Sequence, residues 1–343
     1  MLLRGEPGAC APEAHCAWYM GDQKQHSYTD VLRAQLVENA ELLASDDVGN
    51  LNLKMAGTAV SELHGAFRMF GPHRQRRKVT VFGSARVKPG GTLYEAARVL
   101  AEDLARDGWM VVTGAGPGIM RAATEGAGNE NALGVTIQLP FEASEGAALI
   151  DADRVAQMKY FFTRKLMLCK ESHAFVSLPG GYGTQDETFE LLTLVQTGKS
   201  VPVPLVLLDA PGGTYWADWQ EWVQKHLCDE EFIDAPDMSL FFRTDDAEVA
   251  RAYIEQFYRV YDSCRWVGDT LIMRLTKQPT AEQLDALNVE FADALARGTI
   301  ECAEPTRGEI LNGEKLDMTR ISLHMDRKKN GRLQELIHAV NLW

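Results

Sequence analysis

What this 343-residue chain lacks closes several common routes to function. It has six cysteines, at positions 10, 16, 169, 228, 264 and 302, yet no CxxC pair and no Cys/His spacing that would hold zinc. A disulfide framework is therefore not its organising feature; no metal is expected, and the setting expected is reduced and intracellular. No apolar run approaches the length of a membrane span, and the opening MLLRGEPGAC has only two consecutive leucines, too few for a secretion signal. The expectation is a cytoplasmic protein that does not engage a membrane. Positive charge is also scarce: 35 Lys and Arg against 48 Asp and Glu leave a formal charge of −13. Such a surface repels nucleic acid, so any anionic ligand has to be captured at a local cationic or amide-lined site.

The usual nucleotide signatures are missing as well. There is no GxxxxGK(S/T), so nothing supports a Walker-type ATPase. GAGPGI (114–119) departs from GxGxxG, and the strand signal after it, GVTIQLP, offers Gln138 and Pro140 where a dinucleotide fold places a carboxylate for the ribose. An NAD enzyme is a poor fit. Neither a GxSxG elbow nor a histidine-based triad is evident.

What is present is an alternation. Residues 1–27 are rich in Gly, Pro, Ala and polar residues without periodicity and read as a loosely ordered arm. Two helices are predicted next, from about Thr29 to Ala44 and from about Asn52 to Phe70; in the second, Met55, Ala59, Leu63, Ala66 and Phe70 recur at helical spacing. GPHRQRRK (71–78) reads as a linker of solvated charge. From Lys78 onward short β-branched runs alternate with helical patterns: KVTVFG, a helix over about 92–106, WMVVTG, a helix from about 118, GVTIQLP, a helix near 157–170, HAFVSLPGG, a helix from 185, and VPVPLVLLD. That order specifies an α/β fold, a Rossmann-like parallel sheet with helices on both faces. After it, DTLIMRL reads as a strand, residues 280–296 as a capped amphipathic helix, TRISLHM as a strand and GRLQELIHAVN as a helix, together a small α/β appendage. The expected domains are an N-terminal arm and helical extension (1–75), a nucleotide-binding catalytic domain (76–262) and the C-terminal appendage (263–343).

Ligands of such sheets bind at the carboxyl ends of the strands. Glycines cluster at three of those ends, in FGSAR (82–86), TGAGPGIM (113–120) and PGGYGT (179–184). Strand, glycine and helix N-terminus in succession let backbone N–H groups approach an anion, and phosphate is the natural guest. One such loop could be nothing more than a tight turn; three at neighbouring strand ends point to a site.

PGGYGTQDE matches the PGGxGTxxE signature of the Lonely Guy family, and the RK of YFFTRKLM (160–167) precedes it at that family's spacing. Over residues 76–262 the chain resembles this family, in the manner of its larger bacterial-type members. The resemblance implies a phosphoribohydrolase that releases a free base from a nucleoside 5′-monophosphate, leaving ribose 5-phosphate and using no cofactor. It implies Arg164 and Glu187 as the catalytic pair, and a small-molecule nucleotide substrate. The phosphate is expected on Gly180, Gly181, Gly183 and Thr184, with Gly83, Ser84, Gly116, Gly118 and Lys165 contributing. The residue types suit the chemistry: a carboxylate beside C1′ stabilises the developing ribosyl cation or activates water, and a guanidinium holds hydroxyls or polarises the leaving base. The resemblance also implies a homo-oligomer, a dimer or an assembly of dimers.

Alternatives stand beside these roles. Thr184-x-x-Glu187 is also the pattern of a helix capping box, in which Glu187 only satisfies N–H groups. Small family members carry polar residues, often a histidine, where this chain has Phe161 and Phe162. These rings could stack on a purine or be core, and they make activity on cytokinin-type nucleotides less expected than on common purine monophosphates. The glycine loops alone would serve a non-catalytic nucleotide or cofactor carrier. A decarboxylase, the label relatives often receive, would need pyridoxal phosphate on a lysine that nothing in the sequence singles out.

Overall fold

The computed structural model describes residues 28–138 and 149–343, so the predicted arm and Pro140 lie outside the described residues. Two compact units divide the chain at Gly57 and Thr58. The first contains α1 (Tyr28–Ser45) and the opening turns of α2 (Asn50–Phe70).

The second unit is built on a seven-stranded sheet. Its strands are β1 (Lys78–Phe82), β2 (Met110–Thr113), β3 (Ala132–Ile137), β4 (Val155–Met158), β5 (Ala174–Ser177), β6 (Leu205–Leu208) and β7 (Phe242–Thr244). They lie in the order β4-β3-β2-β1-β5-β6-β7, every pair parallel. All residues of β1, β2, β5 and β6 are buried, as strands covered on both faces require, which is why they read as short, mostly apolar runs. One face is covered by α3 (Thr92–Arg106), α4 (Ile119–Ala127) and α8 (Ala247–Phe257). The other takes the end of α2, then α5 (Phe161–Lys170), α6 (Tyr182–Gln196) and α7 (Tyr215–Val223). The chain winds outward from β1 in one direction through β4, then returns to β5 on its other side. That reversal between β1 and β5 is the switch point at which open α/β sheets bind ligands.

A second, antiparallel sheet holds β8 (Tyr261–Val267), β9 (Thr270–Leu275), β10 (Leu295–Ala303) and β11 (Thr319–Met325) in the order β10-β11-β9-β8, with α9 (Ala281–Glu290), α10 (Arg307–Asn312) and α11 (Asn330–Val340). Leu271, Met273, Ile321 and Leu323 pack with Leu333, Leu336 and Ile337 in one buried cluster. At the start of α11 the Asn330 amide donates to the Gln196 carbonyl at 2.9 Å, at the end of α6. Next to it Gly331 lies so close to Pro236 that a Cβ would fall 2.4 Å from the proline carbonyl oxygen.

Several sequence expectations need correction. The helix expected near 157–170 is present but begins only at Phe161; the residues before it form an unexpected strand, β4. The helix expected over 280–296 ends at Glu290, and the chain enters β10 at Leu295. The basic linker is not simply solvated. Arg76 donates to the carbonyls of Gly108 and Trp109 and to Asn131, Arg77 lies 4.1 Å from the Tyr258 ring centre, and Lys78 is buried with its ammonium on the Arg76 carbonyl. Among the described residues no helix is long and apolar enough to cross a membrane.

Candidate active site

The three glycine loops meet at the switch point, around a cavity of about 810 Å³. The loops after β1, β2 and β5 supply its wall, with Thr136 and Ile137 from the end of β3 and Phe161 and Arg164 from α5. The loops also bind one another. Ser84 donates its N–H to the Pro179 carbonyl at 3.2 Å, and the Ile119 N–H donates to the Ser84 carbonyl at 3.1 Å.

The loop after β5 ends in α6, whose N-cap position is Gly181 and whose N-terminus no side chain caps among the described residues. The first N–H groups of this 15-residue helix therefore face the cavity unsatisfied, an arrangement that favours an anion. A Cβ added at Gly181 or Gly183 would meet nothing within 4 Å, so both border open space. Gly180 differs: a Cβ there would fall 2.1 Å from Thr184 Oγ1 and 3.0 Å from the Ser84 nitrogen, so only glycine lets the loops close. The Gly180 carbonyl accepts a 2.7 Å bond from the Tyr215 hydroxyl, which in turn accepts from Gln185 Nε2 at 2.6 Å. Tyr215 lies on α7, outside any motif; only the fold brings it to the glycine loop.

Glu187 lies a turn and a half into α6 and does not cap it, which sets aside the capping-box reading. Its side chain is 8% exposed and lines the cavity, and its Oε2 has no hydrogen-bond partner among the described residues. Burial pushes its carboxyl up to about 7, with Lys165 and Arg164 pulling it down less strongly.

Arg164 projects from α5 to the same cavity. Its Nε donates to the Val135 carbonyl at 2.9 Å, and its Nη2 occupies a slot that exists because residue 114 is glycine: a Cβ there would fall 2.0 Å away. It forms no ion pair among the described residues; burial lowers its pKa and the charge of Glu187 raises it. Arg164 is thus held in place by backbone, with its charge unneutralised by a contact carboxylate.

The remaining predicted residues divide. Gly83, Ser84, Gly116 and Thr184 line the cavity with the residues above, and so does Phe161, which is 60% exposed. Three are not brought there. The Lys165 ammonium is taken by Asp186 at 2.7 Å and Glu190 at 2.9 Å; burial would lower its pKa, but these two carboxylates raise it. Gly118 has φ of 67° and a Cβ would fall 2.3 Å from the Ser84 carbonyl oxygen, so it serves the junction between loops. Phe162 stacks on Tyr160 with ring centres 5.5 Å apart and is absent from the cavity wall. Among the described residues no cluster of three or more His, Cys, Asp or Glu could hold a metal.

Comparison with known proteins adds the family. A family model described as "Possible lysine decarboxylase" matches residues 119–254. A probable cytokinin riboside 5′-monophosphate phosphoribohydrolase of Oryza sativa subsp. japonica is 32% identical over 177 residues, 50% of this chain and 73% of that protein. A cytokinin riboside 5′-monophosphate phosphoribohydrolase of Arabidopsis thaliana is 27% identical over 192 residues, 54% of this chain and 84% of that protein. Among solved structures, the molybdenum cofactor carrier protein of Chlamydomonas reinhardtii aligns at 23% identity and a TM-score of 0.38, covering 53% of this chain and 98% of its own. The molybdenum cofactor binding protein of Rippkaea orientalis aligns at 17% identity and a TM-score of 0.38, covering 53% and 96%. The PGGxGTxxE loop, its arginine partner and the rice relative, matched over nearly three quarters of its length, lead to one conclusion: the chain belongs to the Lonely Guy family.

Proposed function

We propose that this protein hydrolyses the N-glycosidic bond of nucleoside 5′-monophosphates, giving a free base and ribose 5-phosphate. The observation that carries the reading is Glu187, a buried carboxylate with an unpartnered oxygen in a cavity that also holds Arg164. The C1′–N bond breaks with its electron pair going to the base, water adds its hydroxyl to C1′, and its proton ends on the departing base. Glu187 faces the cationic ribose in the transition state and takes the proton of the attacking water; Arg164 holds ribose hydroxyls or the base by charge-assisted hydrogen bonds. The open amides at the start of α6 hold the 5′-phosphate. Phe161 is the ring available to a base, which favours purines such as adenine, and cytokinin-type nucleotides fall within the same chemistry.

The same reading takes the protein as a cytoplasmic homo-oligomer, at least a dimer. The exposed rings of Phe161 and Phe162 and the exposed Leu166 support a partner surface on α5, and light scattering tests it. The decarboxylase description does not fit the wall: among the described residues no lysine lines the cavity to hold pyridoxal phosphate.

The test is incubation with a panel of nucleoside monophosphates followed by chromatography for free base and ribose 5-phosphate. AMP should be cleaved and adenosine should not, because the amide site is left empty by an unphosphorylated ribose. Binding of AMP without base release would put the non-catalytic carrier in front.

A further inference from the structure

The cavity wall contains two arginines, and the protein treats them differently. Arg164 is committed to the Val135 carbonyl and the slot at Gly114. Arg86, on the loop after β1, is exposed, and among the described residues its guanidinium has no hydrogen bond, ion pair or ring contact. The surface arginines of this chain divide: Arg68, Arg74 and Arg307 also have no hydrogen bond, ion pair or ring contact among the described residues but do not line this cavity, and others are held by carboxylates. Arg98 is paired with Glu95 and Glu102, and Arg251 with Asp107 and Glu248. A guanidinium left unpaired in a protein of charge −13, at the wall of this cavity, is available to an anion from outside.

Its backbone is nevertheless fixed. The Arg86 N–H donates to Ser84 Oγ at 3.1 Å, and Ser84 is bonded through its own N–H and carbonyl to the other two glycine loops. The side chain therefore starts from a rigid platform shared with the open amides of α6, and ends in a planar fork of donors suited to two phosphate oxygens.

We propose that Arg86 is a specificity-determining residue of this site, closing on the phosphate monoester that the α6 N-terminus holds. The inference rests on the proposed nucleotide reading and extends it: helix amides alone accept many anions, whereas amides plus a mobile guanidinium select a doubly charged terminal phosphate. Arg86 is thereby a binding residue, separate from the pair that acts at C1′.

Calorimetric titration of wild-type protein, Arg86→Ala and Arg86→Lys with ribose 5-phosphate, AMP and adenosine tests the assignment, with a thermal melt on each preparation. Arg86→Ala should weaken ribose 5-phosphate and AMP by about tenfold to a hundredfold, the loss of charge-assisted bonds to one anion, while adenosine binding is unaltered. Arg86→Lys should recover part of that loss, and in the base-release assay KM should rise far more than kcat falls. Ribose 5-phosphate binding equal to wild type in folded Arg86→Ala, equal weakening of adenosine, or no ribose 5-phosphate binding by the wild type would each overturn the assignment. Arg86-dependent phosphate binding without base release from any nucleotide would uphold Arg86 and remove the hydrolase reading.

Discussion

Two buried glutamates sit in helices that share the pattern Thr-x-x-Glu, and the protein gives them opposite surroundings. Glu309, at the start of α10, is the capping box its pattern suggests: its N–H reaches Thr306 Oγ1, and its carboxylate accepts from the Thr306 N–H at 2.7 Å. The same carboxylate accepts from Arg274 at 2.7 Å and Arg320 at 3.3 Å, both arginines being buried. Burial would push its carboxyl up, but the bonds from Thr306 and the two guanidiniums outweigh it and hold it at about 2. Glu187 has comparable burial without those partners, and its carboxyl rises to about 7. A buried carboxylate whose lone pairs are all used is part of the scaffold. One whose oxygen is left open at a cavity is unstable in its charged form until something else arrives, and that is the condition a reactive site needs.

The largest effect that would sharpen this contrast is on stability. Glu309→Ala removes the cap and leaves Arg274 and Arg320 without their shared carboxylate, so unfolding in urea should show a loss of about 3–5 kcal/mol. Turnover per folded molecule should be unaltered, because α10 contributes nothing to the cavity wall. If the loss were below about 1 kcal/mol, Glu309 would not be the structural counterpart described.

Glu187→Gln should do the reverse. Base release should fall on the order of 10² to 10³ in kcat, the usual cost of one preorganised electrostatic group. The neutral isostere escapes the burial penalty, so the variant should be more stable than wild type at pH 8, by about 1–3 kcal/mol. A folded variant with near wild-type turnover would break the comparison at its centre.

The two carboxylates also divide the pH axis. Glu187 is raised from its usual 4.5 to about 7, so the stability linked to its neutral form is full below pH 4.5 and is lost as pH rises through about 7. Glu309 is depressed from 4.5 to about 2, so its contribution is full above pH 4.5 and is lost as pH falls toward 2. Each is worth up to about 3 kcal/mol. Denaturation curves across pH should place the change in the wild-type minus Glu187→Gln difference between pH 4.5 and 7, whereas base release should rise through about pH 7, where the folded protein's carboxylate forms.

The smallest expected effect concerns the bracing of the loop. Tyr215→Phe removes a hydroxyl that joins the Gly180 carbonyl to Gln185, and should cost about 1 kcal/mol, read as a severalfold rise in KM for AMP with little loss of fold. An unaltered KM would mean that the glycine loop holds its shape without α7.

Much of this was legible in the sequence, for stateable reasons. Strands buried on both faces appear as apolar runs, and glycines at strand ends mark close approach of backbone, so five strands of the sheet and its three loops could be read directly, while the short outer strands β4 and β7 could not. The two Thr-x-x-Glu stretches could not be told apart, because the difference lies in where each helix begins: Thr306 is an N-cap, whereas Thr184 is already inside a helix that starts after Gly181. β10 escaped notice because most of its residues are exposed and show no apolar alternation. Tyr215, Gly114 and the free state of Arg86 were illegible because each is defined by a partner, or the lack of one, that only topology supplies. The ion pairs of Lys165 were illegible for the same reason, since its motif neighbours do not reveal that Asp186 and Glu190 capture it.

The bond from Asn330 to Gln196 has a consequence for how the protein comes into being. The helix that bears Glu187 receives this bond at its far end from a residue 134 positions further along the chain. β1, likewise, acquires its second neighbour only when β5 has been made. On the ribosome, then, α6 can form early but cannot be locked at both ends until the appendage has emerged and folded against it. A chain interrupted within the appendage would carry every residue of the cavity and still lack one anchor of the helix that positions its carboxylate. The appendage thereby makes its own synthesis a condition of a fully seated α6.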